Sequence, residues 1–202
     1  MYRLWTIQPV AWYNKLLVKG KIYGDMRFID VHDSWKTAYD WMTHQMELRL
    51  GKKPKPRCYP IWAWFQYTDA KHKKPDLRYS GHLSPKTEGV RIEFVKSKKE
   101  ILLSDFMLWH YPLSFKTYIG INEIDLLQFE ELLKSKSLEQ VDYNQLTSDY
   151  RNKISKSWER IFDLDFTGND YYSVPRIDKS IQATFWSLNI DEVVEVKQFI
   201  AR

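Results

Sequence analysis

Apolar and polar residues alternate over Tyr2-Arg3-Leu4-Trp5-Thr6-Ile7-Gln8, the two-residue period of a half-buried strand. Pro9 then stands where a helix starts, and Val10, Tyr13, Leu16 and Leu17 repeat at helical spacing up to Gly20, a C-terminal αL residue. A short strand is expected at Arg27-Phe28-Ile29. Asp33 or Ser34 can cap a second helix, whose Trp35, Ala38, Met42 and Met46 form one stripe ending before Gly51. Lys52 to Arg57 holds two prolines and reads as an extended connector.

The run Cys58-Tyr59-Pro60-Ile61-Trp62-Ala63-Trp64-Phe65-Gln66-Tyr67 is almost continuously apolar, as a strand buried on both faces is. It places Tyr59, Ile61, Ala63, Phe65 and Tyr67 on one face and Trp62, Trp64 and Gln66 on the other. Alternation returns at Val90–Val95. Glu100–Leu103 predicts a strand leading into a short helix or turn at 104–110, and Asn122 caps a helix running to Lys134. A further helix carries Ile154, Trp158, Ile161 and Phe162. After a loop at 165–179, Ser180–Leu188 and Val194–Phe199 read as strands separated by a cap at Asn189 or Asp191. Strands and helices mix without strict alternation, which predicts an α+β fold: one domain over 1–202, with a mixed or mainly antiparallel sheet flanked by helices. The helical segment 121–163 is a candidate insertion. The two outermost strand motifs, at Tyr2–Gln8 and Ile181–Leu188, are expected to be neighbours.

Charge changes this picture locally. Residues 51–100 hold 13 Lys/Arg against 5 Asp/Glu, an excess of +8, within a chain whose net charge is +5. A single cysteine, Cys58, excludes an internal disulfide and points to a reducing cytoplasm. No window is long and apolar enough for a membrane span, and no secretory leader is recognisable, so no membrane partner is expected. The histidines, His32, His44, His72, His82 and His110, form no i,i+4 pair on one helix, so no metal is expected. The seven glycines never bunch into a phosphate loop, and there is no Gly-x-Ser-x-Gly elbow.

Two constellations remain. Trp62, Trp64 and Tyr67 stand beside Lys71, Lys73, Lys74 and Arg78; rings that stack on bases next to cations that neutralise phosphates suit single-stranded nucleic acid. The same aromatics serve equally as a core strand beside a solvated loop. The second constellation is Arg3-Leu4-Trp5-Thr6-Ile7-Gln8-Pro9 at one end and Ile181-Gln182-Ala183-Thr184-Phe185-Trp186 at the other. With Ser104-Asp105-Phe106 and Trp158-Glu159-Arg160-Ile161-Phe162-Asp163 between them, these motifs resemble an uncharacterised bacterial and phage family of unknown function, over almost the full chain.

More loosely, the layout is similar to small ADP-ribosyltransferase folds, which open with a strand bearing Arg or His-x-Thr and close with a strand carrying a catalytic Glu. That resemblance implies NAD as cofactor, with Arg3 on a phosphate, Thr6 on a ribose hydroxyl, Trp5 where one branch has His, and Trp62 or Trp109 stacked on a ring. Gln182 or Thr184 falls where the Glu belongs, and an amide supplies no negative charge to an oxocarbenium-like transition state. Glu159 would have to substitute. The expectation by that likeness is a nucleotide-binding protein acting as a toxin or in phage–host conflict; a nucleic-acid module and a protein-interaction factor stay open beside it. For Arg3, an ion pair to Glu159 is the structural alternative to a ligand contact.

Overall fold

The computed structural model describes residues 1–26, 33–168 and 174–202. The strand expected at Arg27-Phe28-Ile29 lies outside the described residues, as do Asn169-Asp170 of the long loop and the side chains of the expected caps Asp33 and Ser34. Strand β1 (Tyr2–Pro9) runs into helix α1 (Val10–Lys19). Gly20, at φ 68°, ends α1 in the left-handed conformation, and its N–H donates to Leu16 O at 2.9 Å. The short β2 (Lys21–Tyr23) follows, then α2 (Asp33–Leu50). Next come β3 (Ile61–Gln66), β4 (Glu88–Lys96) and β5 (Leu102–Asp105). The helical segment comprises α3 (Glu123–Ser135), capped by the Asn122 side chain, and α4 (Ser148–Ser157). β6 (Ile181–Phe185), β7 (Ser187–Asn189) and β8 (Val193–Ile200) complete the α+β fold.

The main sheet has the order β5-β6-β3-β1-β4-β8, and every neighbouring pair is antiparallel. Its middle is its weakest join. β1 pairs with β4 at eight positions from Tyr2↔Lys96 to Pro9↔Gly89, yet it meets β3 in register only at Trp5↔Trp64. The sheet is therefore two three-stranded halves joined in register at one bridge. Through that bridge runs a lateral row of side chains on one face: Ser104, Gln182, Trp64, Trp5, Glu93 and Glu195.

The other face is apolar. Leu4, Ile61, Ala63, Ile92, Phe94, Ala183 and Phe185 pack there with Leu16 of α1. This is the alternation of β1 and β3 expressed as burial. A second core sits against the β5-β6-β3 half, where Ala38, Met42 and Met46 of α2 are fully buried with Leu108, Trp109, Ile154 and Trp158. Trp62 and Leu102 of the sheet pack onto this second core.

Three expectations change. The terminal strand motifs share a sheet but are not neighbours, because β3 lies between β1 and β6. The strand expected at 180–188 breaks at Trp186, and β7 leaves the main sheet to pair with β2. The run at 58–67 is a strand only from Ile61: Cys58 makes an isolated bridge to Asp25, and a bulge between Trp64 and Gln66 sets Gln66 opposite Ile181, which ends the simple alternation before Tyr67.

Candidate functional site

Where β1 and β3 part, a cleft of about 620 Å³ opens between them. Beyond Trp5↔Trp64, a side chain joins the strands: the Thr6 hydroxyl donates to Trp62 O at 2.8 Å and accepts from Gln8 Nε2 at 2.9 Å. Trp64 stands half-buried in the wall, edge-on to Tyr67 and to Phe106, each with ring centroids 4.9 Å away. Such T-shaped contacts hold the indole in one orientation. Tyr67 leans on His82 at 5.7 Å, and burial pushes its phenol pKa up, with Tyr79 and Asp76 adding to the shift. Gln182 of β6, level with Trp64, also lines the cleft. Among the described residues its side-chain amide has no hydrogen-bond partner.

Thr6, Trp62, Trp64, Tyr67 and Gln182, five residues singled out from sequence, therefore line one concavity. Gln8, Tyr79, His82, Phe106 and Ser180 line it too. Sequence patterning could not assign these last residues to a site, because four of them lie outside strands and come together only through the fold; Gln8, Phe106 and Ser180 stood inside noted segments, but nothing local pointed them at one cleft.

The remaining candidates lie elsewhere. Trp109 is buried and forms an aromatic trio with Tyr39 and Trp62, the two tryptophan rings being 5.0 Å apart. Trp5, one step along the row from Trp64, donates its indole N–H to Glu93 Oε2 at 2.8 Å. Arg3 makes an ion pair with Glu93 at 2.5 Å rather than with Glu159. Its side chain is 59% exposed, so it is not the buried charge that strand position implied. Glu159 sits on a 3-10 turn (Trp158–Phe162), bound by Lys156 at 2.9 Å and Arg49 at 3.4 Å. It lines a separate cavity of about 740 Å³ with Tyr118, Asp125 and Arg160, so Glu159 and Gln182 do not face one pocket.

The basic loop after β3 is partly neutralised internally. Lys74 bonds Glu195 at 2.7 Å and Glu93 at 3.3 Å, and Arg78 chelates Asp76, holding that carboxyl down at about 2. Lys73 lies over the Phe65 ring at 5.6 Å, and the Lys71 N–H donates to Asp69. None of the four lines the cleft.

NAD would find a partial fit. The cleft volume suits a ligand ring with part of its ribose, the walls are aromatic, and Gln182 offers both a donor and an acceptor. The lining contains no Lys, Arg, Asp or Glu, so a pyrophosphate there would depend on hydroxyl and backbone donors. Among the described residues no group of three or more His, Cys, Asp or Glu is placed to hold a metal ion, and no helix is long and apolar enough to cross a membrane.

A search of curated proteins found no match to this chain. A model for a domain of unknown function, DUF3841, matches residues 3–194, which takes in all of β1 but Tyr2, the seam and every residue of the cleft. The chain belongs to the DUF3841 family.

Proposed function

We propose that this protein is an ADP-ribosyltransferase-like nucleotide-binding protein, taking a planar ring of NAD or a related nucleotide into the β1–β3 cleft. The observation that supports it is the convergence of Thr6 from the first strand and Gln182 from β6 on one cleft, on either side of Trp62 and Trp64. The ring would lie against Trp64, whose orientation Tyr67 and Phe106 hold, and Gln182 would read its polar edge. Thr6 would contribute through its existing link to Trp62 O rather than as a free hydroxyl. The reading stops at binding, since Gln182 is an amide and Glu159 lines another cavity.

Thermal melts with and without NAD test it. Millimolar NAD should raise the wild-type midpoint in a concentration-dependent way, as any ligand of the folded state does. Gln182→Leu, similar in volume, should weaken binding about five- to tenfold, the worth of one hydrogen bond. Nicotinamide release measured in the same samples addresses transfer. A wild-type midpoint that NAD never moves removes the reading.

A further inference from the structure

A second cleft, of about 640 Å³, lies between the C-terminal half of α1, the β2 segment and the connector before β3, and shares no lining residue with the first. Its lining is strongly basic: Lys15, Lys19, Lys21, Lys55 and Arg57, with Asp25 as the sole carboxylate in the wall among the described residues. Lys19, Lys21, Lys55 and Arg57 are exposed and have no ion-pair partner among the described residues. This sets them apart from Lys74 and Arg78 in the more obviously basic loop, whose charges are met by carboxylates.

The scaffold holds these cations together. Gly24 accepts the Tyr59 N–H at its carbonyl and donates its own N–H to Trp186 O, and the isolated bridge Asp25↔Cys58 continues the attachment. A Cβ on Gly24 would sit 1.9 Å from Tyr59 O, so only glycine lets the two backbones approach this closely. The Tyr23 ring gathers two ammonium groups, Lys55 at 4.0 Å and Lys21 at 5.3 Å from its centroid. The π-face attracts each cation, while the cations repel one another and outnumber the Asp25 carboxylate in the wall. An anion placed among them relieves that repulsion.

We propose that this cleft binds consecutive phosphate groups, as presented along the backbone of a single-stranded nucleic acid. Four unpaired cations spread from the end of α1 to the connector fit a chain of phosphates better than one compact anion. The proposal is independent of the nucleotide reading, and it moves the polyanion site away from Lys71, Lys73, Lys74 and Arg78.

Anisotropy of a short fluorescein-labelled oligothymidylate, titrated at several salt concentrations, tests it. Four phosphate contacts predict a log–log salt slope of about −3. Changing Lys19, Lys21, Lys55 and Arg57 together to Gln should weaken binding at least tenfold at low salt and flatten the slope, with the far-UV spectrum unchanged because all four are exposed. Should that variant not fold, Lys21→Gln and Lys55→Gln singly should each lower the slope by about 0.7. Lys71→Gln with Lys73→Gln should leave both quantities as in wild type. Sodium tripolyphosphate is the competing arm: weak competition assigns the cleft to a strand, and tight binding without oligonucleotide binding assigns it to a free polyphosphate and overturns the strand. Wild-type affinity in the folded quadruple variant, or no binding of either probe at low salt, overturns the site itself.

Discussion

Glu93 illustrates how a carboxylate is kept inside a sheet. It sits in the lateral row beside Trp5, buried, and takes the Trp5 indole N–H, the Arg3 guanidinium and the Lys74 ammonium. Burial by itself pushes its pKa up, but hydrogen bonds from Trp5 and Lys74 and the charges of Lys74 and Arg3 outweigh that, leaving it below the ordinary range. A folded pKa that is depressed stabilises the fold above the unfolded value and loses that contribution as pH falls through the folded one. Glu93→Gln should therefore cost about 1–2 kcal/mol at neutral pH. The figure is modest because Arg3 and Lys74, at 59% and 38% side-chain exposure, rehydrate when released. In urea melts the gap between wild type and variant should narrow below about pH 4. A gap of the same size in acid would mean that shape, not charge, is what the position requires.

At the level of elements, one buried ion pair ties the edge of the sheet to the chain that leads into β6. Lys179 Nζ lies 2.7 Å from Asp105 Oδ2, with both side chains essentially inaccessible, and also donates to Phe166 O at 2.8 Å. The other Asp105 oxygen accepts the N–H groups of Met107 and Leu108, starting the turn after β5. Gln66, displaced by the bulge in β3, reaches the same place and donates to Lys179 O at 2.7 Å. Removing one partner strands the other charge away from water. Lys179→Met should cost about 3–5 kcal/mol, several times the effect of an exposed pair. Denaturant midpoints of Lys179→Met and of Lys36→Met, whose ion pair with Asp40 is solvent-exposed, make the comparison, and equal losses would count against the buried pair.

For the whole molecule, the seam is the dominant feature. Two three-stranded halves meet at Trp5↔Trp64; the core beneath α1 runs across both, and the core beneath α2 backs the β5-β6-β3 half alone. Local stability follows hydrogen-bond density, so opening should begin at this join. Amides of β1 that face β3 beyond Trp5 should exchange faster than those that face β4. NAD, if it occupies the cleft, should slow exchange at Thr6–Gln8 and Trp62–Trp64. Residue-resolved hydrogen exchange measures both, and uniform protection across β1 would show that the halves move as one body.

The amino-acid pattern alone determined most of the elements and which face of them is buried, though not β2 or the break at Trp186. Leu4 against Arg3, the Ala38-Met42-Met46 stripe, Gly20 as a helix end and Asn122 as a cap are short-range consequences of backbone period and local hydrogen bonding. The family resemblance was likewise legible in motifs spread over the chain. Strand order was not, because β3 comes between β1 and β6 only once three segments far apart in sequence have folded together. The same is true of partners. Arg3 goes to Glu93 and not Glu159, and Trp109 to a core rather than a cleft, because each pairing follows a register that no local pattern encodes. Tertiary structure alone also decided which cations are neutralised. The lysine-rich loop looks like the basic surface, yet two of its four candidates meet carboxylates, while the quieter lysines of α1, β2 and the connector are gathered in a wall with few.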